Sequence, residues 1–439
     1  MQAPHRAPDQ PIDDGWQGLA WYAQRKPVFT GGNQLRLLKA GQTLFPAMCA
    51  QIERARHSIW LALYLVSPYG QSSAVLQALQ QAARRGVKVH LVADGVGSHD
   101  APPSMWTQLR AEGIEVAIHR PFHRIWGIFN TSEWRRMHFK LCVVDESVAF
   151  VGGINLIDDR FDLHNGWSDA IRLDYAVEAH GPVSTPVLHT IKAMWTRAQV
   201  GKDWRDELWP LMQDSGRMRR LQHLWQQARM RLTPSEQAPF AKAASNPHPT
   251  RCAFVLRDNL RQRRTIERAA IQAIKQARRE IDIVTPYFYP ARQLRLALRH
   301  AAARGVRVRL LLQGKVDLPI AGIAARVLYD ELIRHGIEIH EYQKAFLHAK
   351  VMRVDQDWCM VGSSNLDPLS LVLNMEANVV VRDRHFTSNL ARELESDFAD
   401  SQLVPLAATQ RHWADRMGHW LFRVAAKLYL RLAGISGHY

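Results

Sequence analysis

Two stretches of the chain carry the same polar residues at the same spacing. The first is His138-Phe-Lys140-Leu-Cys-Val-Val-Asp145, followed after six residues by Gly152-Gly-Ile-Asn155. The second is His348-Ala-Lys350-Val-Met-Arg-Val-Asp355, followed after six residues by Gly362-Ser-Ser-Asn365. Both read H-x-K-x4-D-x6-G-[GS]-x-N without a gap. At ordinary residue frequencies a single chance match in a chain this long has odds of roughly one in ten thousand or smaller, so two are no accident.

These residue types suit phosphodiester exchange without a metal. A neutral imidazole attacks phosphorus while a second imidazolium protonates the leaving alkoxide, both titrating near working pH. Two histidines are the minimum. The ammonium groups of Lys140 and Lys350, with the amide or hydroxyl donors of Asn155, Ser363 and Asn365, stabilise charge building on the phosphoryl oxygens. The first copy has Gly153 where the second has Ser363, which leaves one hydroxyl donor where a symmetric site holds two. No Asp/Glu cluster at metal-ligand spacing and no Walker-type loop occurs, so neither a metal nor a cofactor is expected.

The apolar alternation around the first motif predicts a strand with His138, Lys140 and Cys142 on one face. A lysine aimed from mid-strand beside a histidine needs an anion or a partner to be stable there. The duplication reaches beyond the motifs. Ala83-Arg-Arg-Gly-Val-Lys-Val-His-Leu-Val-Ala-Asp-Gly95 recurs as Ala302-Ala-Arg-Gly-Val-Arg-Val-Arg-Leu-Leu-Leu-Gln-Gly314, with Gly86 matching Gly305. Each copy ends a helix in glycine and opens an alternating strand, and each is preceded by another strand, Ser58 to Val66 or Glu280 to Thr285. Strand, helix, strand is the pattern of parallel βαβ units, so both halves read as α/β. Between them, from about Gly201 to Thr250, the sequence turns rich in Trp and Arg and then in Pro, as an insert or connector.

With 47% hydrophobic and 22% charged residues the 439-residue chain is neither disordered nor fibrous. Its four cysteines form no C-x-x-C pair, which excludes a disulfide framework or zinc ribbon and fits a reducing compartment. Lys and Arg number 57 against 41 Asp and Glu, a net charge of +16 that points to a polyanion or an anionic surface as partner. The N-terminus MQAPHRAPDQPIDDGW has no apolar core and does not read as a signal peptide. Ser58 to Val66, the most apolar stretch, falls well short of the roughly 20 residues that span a bilayer.

Contact with lipid has three candidates. From Trp413 to Leu432 the pattern is helical, with Trp413, Trp420 and Leu421 on an apolar face and Arg416, Arg423, Lys427 and Arg431 beside it. Such a helix suits a membrane interface, with Trp413, Trp420, Arg423 and Lys427 as contacts, and equally suits docking on the protein's own core. The insert offers Trp204, Trp209 and Trp225 among arginines, and Trp126-Gly-Ile-Phe129 precedes the first motif. Aromatic and basic residues together also suit nucleic acid.

The paired motif resembles that of the phospholipase D superfamily, over about residues 28 to 405. The resemblance implies an α/β fold of two tandem phospholipase D-like βαβ-sandwich halves packed to form one active site. It implies that His138 is the nucleophile, forming a phosphohistidine, that His348 acts as general acid and then base, and that Asp145 and Asp355 complete the motifs as structural groups. It further implies an acidic residue orienting each histidine, for which Asp174, 36 residues after His138, and Glu376, 28 residues after His348, are the candidates. Val361-Gly-Ser-Ser-Asn-Leu-Asp-Pro-Leu-Ser-Leu371, Asn374-Met-Glu-Ala-Asn378 and Arg135-Arg-Met-His-Phe-Lys140 are similar to bacterial cardiolipin synthases of the type without N-terminal transmembrane helices. That likeness implies transfer of a phosphatidyl group from one phosphatidylglycerol to another with release of glycerol, the alternative being a hydrolase or nuclease of the same superfamily. It implies an anionic phospholipid membrane containing phosphatidylglycerol and cardiolipin as partner, no nucleic acid, no oligomer required for catalysis, and a peripheral place on the cytoplasmic face of a bacterial membrane. The expected organisation is a tail (1–27), a first half (28–200), a helical insert and linker (201–250), a second half (251–405) and an amphipathic C-terminal helix (406–439).

Overall fold

A computed structural model describes residues 27–120, 136–162, 166–200, 250–258, 264–315, 328–365 and 374–406. In the first half the order is β1 (Thr30–Lys39), α1 (Ala40–Arg54), β2 (Ser58–Leu63), α2 (Ser73–Arg84), β3 (Lys88–Asp94), α3 (Pro103–Ala111), β4 (Glu115–His119), β5 (Arg136–Met137), β6 (Lys140–Val144), β7 (Val148–Gly152), β8 (Phe161–Asp162), β9 (Gly166–Trp167), β10 (Tyr175–His180) and α4 (Ser184–Val200). The second half repeats this plan as β11 (Thr250–Arg257), α5 (Thr265–Gln276), β12 (Glu280–Val284), α6 (Arg292–Ala303), β13 (Arg307–Gln313), α7 (Tyr329–Arg334), β14 (Ile337–Tyr342), β15 (Val351–Val354), β16 (Trp358–Gly362), β17 (Asn374–Arg382), α8 (Arg384–Ala399) and β18 (Ser401–Leu403).

Helices α2 and α6 end where glycine permits the left-handed turn that a side chain resists, with φ of +89° at Gly86 and +85° at Gly305. The chain then re-enters the sheet parallel to the strand before the helix, β2 beside β3 and β12 beside β13. The strands that follow, β6 and β7 or β15 and β16, run antiparallel, so each half is a mixed sheet rather than a wholly parallel one.

The order across the sheet is β4-β3-β2-β6-β7-β10-β1-β11-β17-β16-β15-β12-β13-β14-β18. Apart from β18 it reads as the same seven strands in mirror order on either side of the β1–β11 seam. Among the described residues, Thr30 with Cys252 and Asn33 with Thr250 pair across that seam. Fully buried Asn33 braces it, its amide donating to the Thr250 carbonyl at 3.3 Å and its Oδ1 accepting from Val183 N–H at 2.9 Å. A second tie is ionic. Lys39 of the first half binds Asp397 at 2.7 Å and Glu393 at 3.0 Å on α8, and the Tyr175 hydroxyl also donates to Asp397.

Alternation along the strands sends apolar side chains to both faces. One face of the first half packs on α1, α2 and α3 through Leu44, Met48, Val75, Leu79 and Leu109, and the second half packs likewise on α5 and α6 through Ile266, Ile274, Leu294 and Leu298. The remaining faces share one core that also takes in Val187 and Ile191 of α4 and Leu390 and Leu394 of α8. The duplicate copies have diverged inside it. Trp60 and His90 stack at 3.7 Å on neighbouring strands of the first half, whereas on the equivalent strands of the second Asp282 holds Arg309 at 2.8 Å, and it also holds Arg353 of β15 at 2.8 Å. The second filling pairs its buried charges with one another, which a burial this deep requires.

Candidate active site

Each motif histidine lies just before its strand rather than within it. The strand expected to carry His138, Lys140 and Cys142 begins at Lys140, because residues 136–137 leave their own sheet and pair, as β5, with β17 of the other half. His138 N–H then donates to the Met375 carbonyl at 3.1 Å. In the second copy Leu347 bridges to Leu173 and His348 N–H donates to the Leu173 carbonyl at 2.8 Å. Both histidines are therefore seated by backbone of the opposite half.

The same exchange governs their carboxylates. His138 Nδ1 lies 3.0 and 3.1 Å from the two oxygens of Glu376, and His348 Nδ1 lies 2.6 Å from Asp174 Oδ2. Glu376 is thus the partner of the histidine in the first half and Asp174 of the histidine in the second. Both carboxylates are buried, while the imidazoles keep 12% and 29% of their surface exposed. A carboxylate on Nδ1 selects the tautomer that leaves Nε2 free for chemistry.

Lys140 starts strand β6 and Lys350 lies immediately before β15, and each turns its ammonium back to the carbonyl of the motif histidine two residues earlier, Lys140 at 3.0 Å. Burial holds Lys140 down at about 7 against the pull of Glu376. Burial also lowers His138, opposed by Glu376, and lowers His348 well below its ordinary value, with Lys350, Lys140 and Arg172 adding to the effect. Asp174 moves the other way, raised by burial to about 7. A buried acid pushed up beside an imidazole pushed down forms a pair that shares its proton around neutrality. His138 is neutral there and carries a lone pair.

Asn155 and Asn365 lie just beyond β7 and β16, at the end of the sheet where Lys140 and Lys350 lie. Ser363, expected as a phosphate donor, is engaged elsewhere: fully buried, it donates to Glu376 at 2.6 Å and accepts Ala377 N–H at 3.0 Å. The matching Gly153 lies so close to Asp174 that a Cβ there would stand 2.3 Å from Oδ1. The glutamate, one methylene longer, reaches past its neighbour and leaves room for serine; the aspartate does not.

Asp145 and Asp355 are removed from this chemistry by the length of a strand. Each sits in the turn after the motif strand, at φ of +45° and +51°, and gathers backbone N–H groups. Asp145 accepts from Arg56, His57 and Ser58 at 2.8 to 2.9 Å, and Asp355 from Arg278, Arg279 and Glu280 at 2.8 to 3.1 Å. They fix the start of β2 and β12.

Three residues enter the site without having been read from the sequence. Tyr64, just past β2, packs its ring 4.7 Å from that of His138 and 5.1 Å from the Lys140 ammonium, and burial raises its hydroxyl to about 12. Buried Asp94, at the end of β3, accepts the Met137 N–H at 2.8 Å and so supports the approach to His138. Arg172 lies two residues before Asp174 and so on the same side of an extended segment, a signal that alternation alone carries. Its guanidinium donates to the Phe161 carbonyl. Trp413, Trp420, Arg423 and Lys427, the tryptophans of the insert, and Trp126 to Phe129 lie outside the described residues.

Two halves, two histidines and crossed carboxylates define a phospholipase D-type centre, and the chain belongs to that family: the model for the cardiolipin synthase, PLD-like domain matches residues 48–167 and 270–398. The chain is 35% identical over 366 residues to cardiolipin synthase B of Salmonella typhi, covering 83% of this chain and 80% of that one. Identity to cardiolipin synthase B of Escherichia coli strain K12 is 34% over 376 residues, covering 85% and 82%. Among solved structures, phosphatidylserine synthase of Haemophilus influenzae Rd KW20 shares the fold, with a TM-score of 0.64 over 95% of this chain and 99% of that one at 13% identity.

Proposed function

We propose that the protein is a phosphatidyltransferase that makes cardiolipin from two molecules of phosphatidylglycerol. The observation that carries this reading is the crossed pairing, which presents two imidazoles, each oriented through Nδ1, beside two buried ammonium groups. His138 Nε2 attacks the phosphorus of the first phosphatidylglycerol. The bond from phosphorus to the glycerol oxygen breaks, and the proton shared by His348 and Asp174 passes to that oxygen so that glycerol leaves neutral. A hydroxyl of the second phosphatidylglycerol then gives its proton to His348, its oxygen bonds to phosphorus, and the bond to His138 breaks. Lys140 and Lys350 offset the charge on the phosphoryl oxygens, and the anion in turn favours the ammonium form of Lys140. One phosphodiester is exchanged for another of similar energy, which is why the reaction draws on no nucleotide.

The protein works as a peripheral enzyme of the cytoplasmic face of a bacterial membrane, meeting anionic lipid through its net charge of +16. No helix among the described residues is long and apolar enough to cross a bilayer. Both histidines and both carboxylates come from one chain, so catalysis requires no second copy.

The test is incubation of purified protein with phosphatidylglycerol vesicles in the presence of chelator, with products resolved by mass. Cardiolipin and free glycerol in equal amounts are expected. Phosphatidic acid as the only lipid product makes water the acceptor and the protein a hydrolase; cleavage of nucleic acid without any lipid product makes it a nuclease.

A further inference from the structure

The transfer reading requires a place for the second alcohol, and a cleft walled in part by Phe346, two residues before His348, has the chemistry for it. Ala345, Leu347 and Ala349 pack into the shared core, while Phe346 and His348 between them are each only half-buried. Phe346 is one wall of a cleft of about 690 Å³ whose other walls include Gln71, Arg160, Trp167, Ser168 and Asp169. The chain binds the cleft to the site at two points: Leu173 N–H donates to the Phe346 carbonyl at 2.8 Å, and the Arg172 guanidinium reaches the Phe161 carbonyl.

The frame of the cleft is built from its backbone. Asp158 accepts Gln71 N–H at 2.8 Å and Arg160 N–H at 2.9 Å, and Ser168 N–H donates to the Arg160 carbonyl at 2.7 Å. What it displays is an unusual mixture. Trp167, 64% exposed, packs 5.3 Å from Phe161 at the rim, Tyr69 stands 62% exposed next to the turn that holds Gln71, and the Arg160 and Asp169 side chains are exposed on the walls. A phosphate needs a cation, glycerol hydroxyls need acceptors as well as donors, and acyl chains at an interface favour Trp and Tyr.

We propose that this cleft is the acceptor subsite, holding the glycerophosphate headgroup of the second phospholipid with its phosphate on Arg160, its secondary hydroxyl on Asp169 and Ser168, its first acyl carbons against Trp167, and its terminal hydroxyl directed to His348. This rests on the transfer reading above and adds where the acceptor binds. The attack is balanced as already written: the hydroxyl proton goes to His348 and the bond from phosphorus to His138 breaks.

The experiment sets two acceptors against each other on one donor. Phosphatidylglycerol in detergent micelles is supplied with ethanol, and cardiolipin, phosphatidylethanol and phosphatidic acid are quantified together. Ethanol has no phosphate for Arg160 and no chain for Trp167. Arg160→Ala is therefore expected to lower the ratio of cardiolipin to phosphatidylethanol by about tenfold or more, the scale of losing a charge-assisted contact, and Arg160→Lys to keep it within about threefold of wild type. Trp167→Ala lowers the same ratio severalfold and Trp167→Phe restores most of it. Because the ratio is read within one protein sample, a loss of folded protein does not move it. A ratio that stays at the wild-type value in Arg160→Ala and Trp167→Ala, whether total product falls or not, overturns the acceptor subsite. Wild-type protein that forms neither alcohol product overturns the transfer reading itself, and this inference with it.

Discussion

The crossed carboxylates make a prediction that no assignment within one half makes: Glu376→Gln must disable His138, and Asp174→Asn must disable His348. In Glu376→Gln the side chain keeps its length while the charge 3.0 to 3.1 Å from His138 Nδ1 disappears. A hydrogen bond to a charged group is worth about 1.5 to 3 kcal/mol, and at 1.36 kcal/mol per decade its loss from the transition state slows the step about 10- to 150-fold. The steps separate with an activated donor, phosphatidyl p-nitrophenol, whose leaving group departs without a proton. In rapid-quench measurements Glu376→Gln should lose the burst of nitrophenolate by that factor. Asp174→Asn should keep the burst and slow only breakdown of the phosphatidyl enzyme, since attack by the acceptor still requires a base. A full burst in Glu376→Gln together with a lost burst in Asp174→Asn would refute the reasoning and reverse the roles of the two histidines.

The remaining predictions concern proton balance and the supports of the site. Because burial holds His138 below 6.5 while Asp174 and Lys140 both titrate at about 7, kcat/KM should fall on the acid side only below 6.5 and should already decline as pH rises through about 7, where the His348–Asp174 proton and the Lys140 charge are lost together; a flat profile from 6 to 9 would contradict this. Gly153→Ser drives a side chain against the Asp174 carboxylate, where a Cβ would stand 2.3 Å from Oδ1, and should lower both kcat and Tm, whereas Ser363→Gly removes one donor from Glu376 and should reduce stability in chemical denaturation by only about 1 kcal/mol. Asp355→Ala releases three backbone N–H groups at the start of β12 and should reduce stability by about 1 to 3 kcal/mol, visible as a lower Tm, with activity following the folded fraction through the melt.

The duplicated plan was legible because it is written in local rules: glycine at the helix ends, period two in the strands, and one motif in two copies. The lysines and histidines were legible for the same reason. The crossing was not, since it arises from a relation between halves and no spacing along one half encodes it; Glu376 pairs with a residue 238 positions away and Asp174 with one 174 away. Ser363 was read as a donor to substrate because sequence shows only that a hydroxyl is present. Whether that hydroxyl faces phosphate or the neighbouring carboxylate depends on one methylene, glutamate against aspartate, on the adjacent strand. His138 was placed in mid-strand because the apolar alternation continues through Met137 and Phe139, and both are indeed buried, but Met137 belongs to a strand paired with the other half.

The seating of each histidine on the opposite half also bears on how the chain is made. Ribosomes release the N-terminal half first. Until some 240 further residues have followed His138 out of the exit tunnel and docked, that histidine has neither its carboxylate nor the Met375 carbonyl that fixes its backbone. A nascent first half therefore holds its histidine without the groups that orient it. Both halves must be made and docked before either histidine is seated, so the site is assembled by the docking itself.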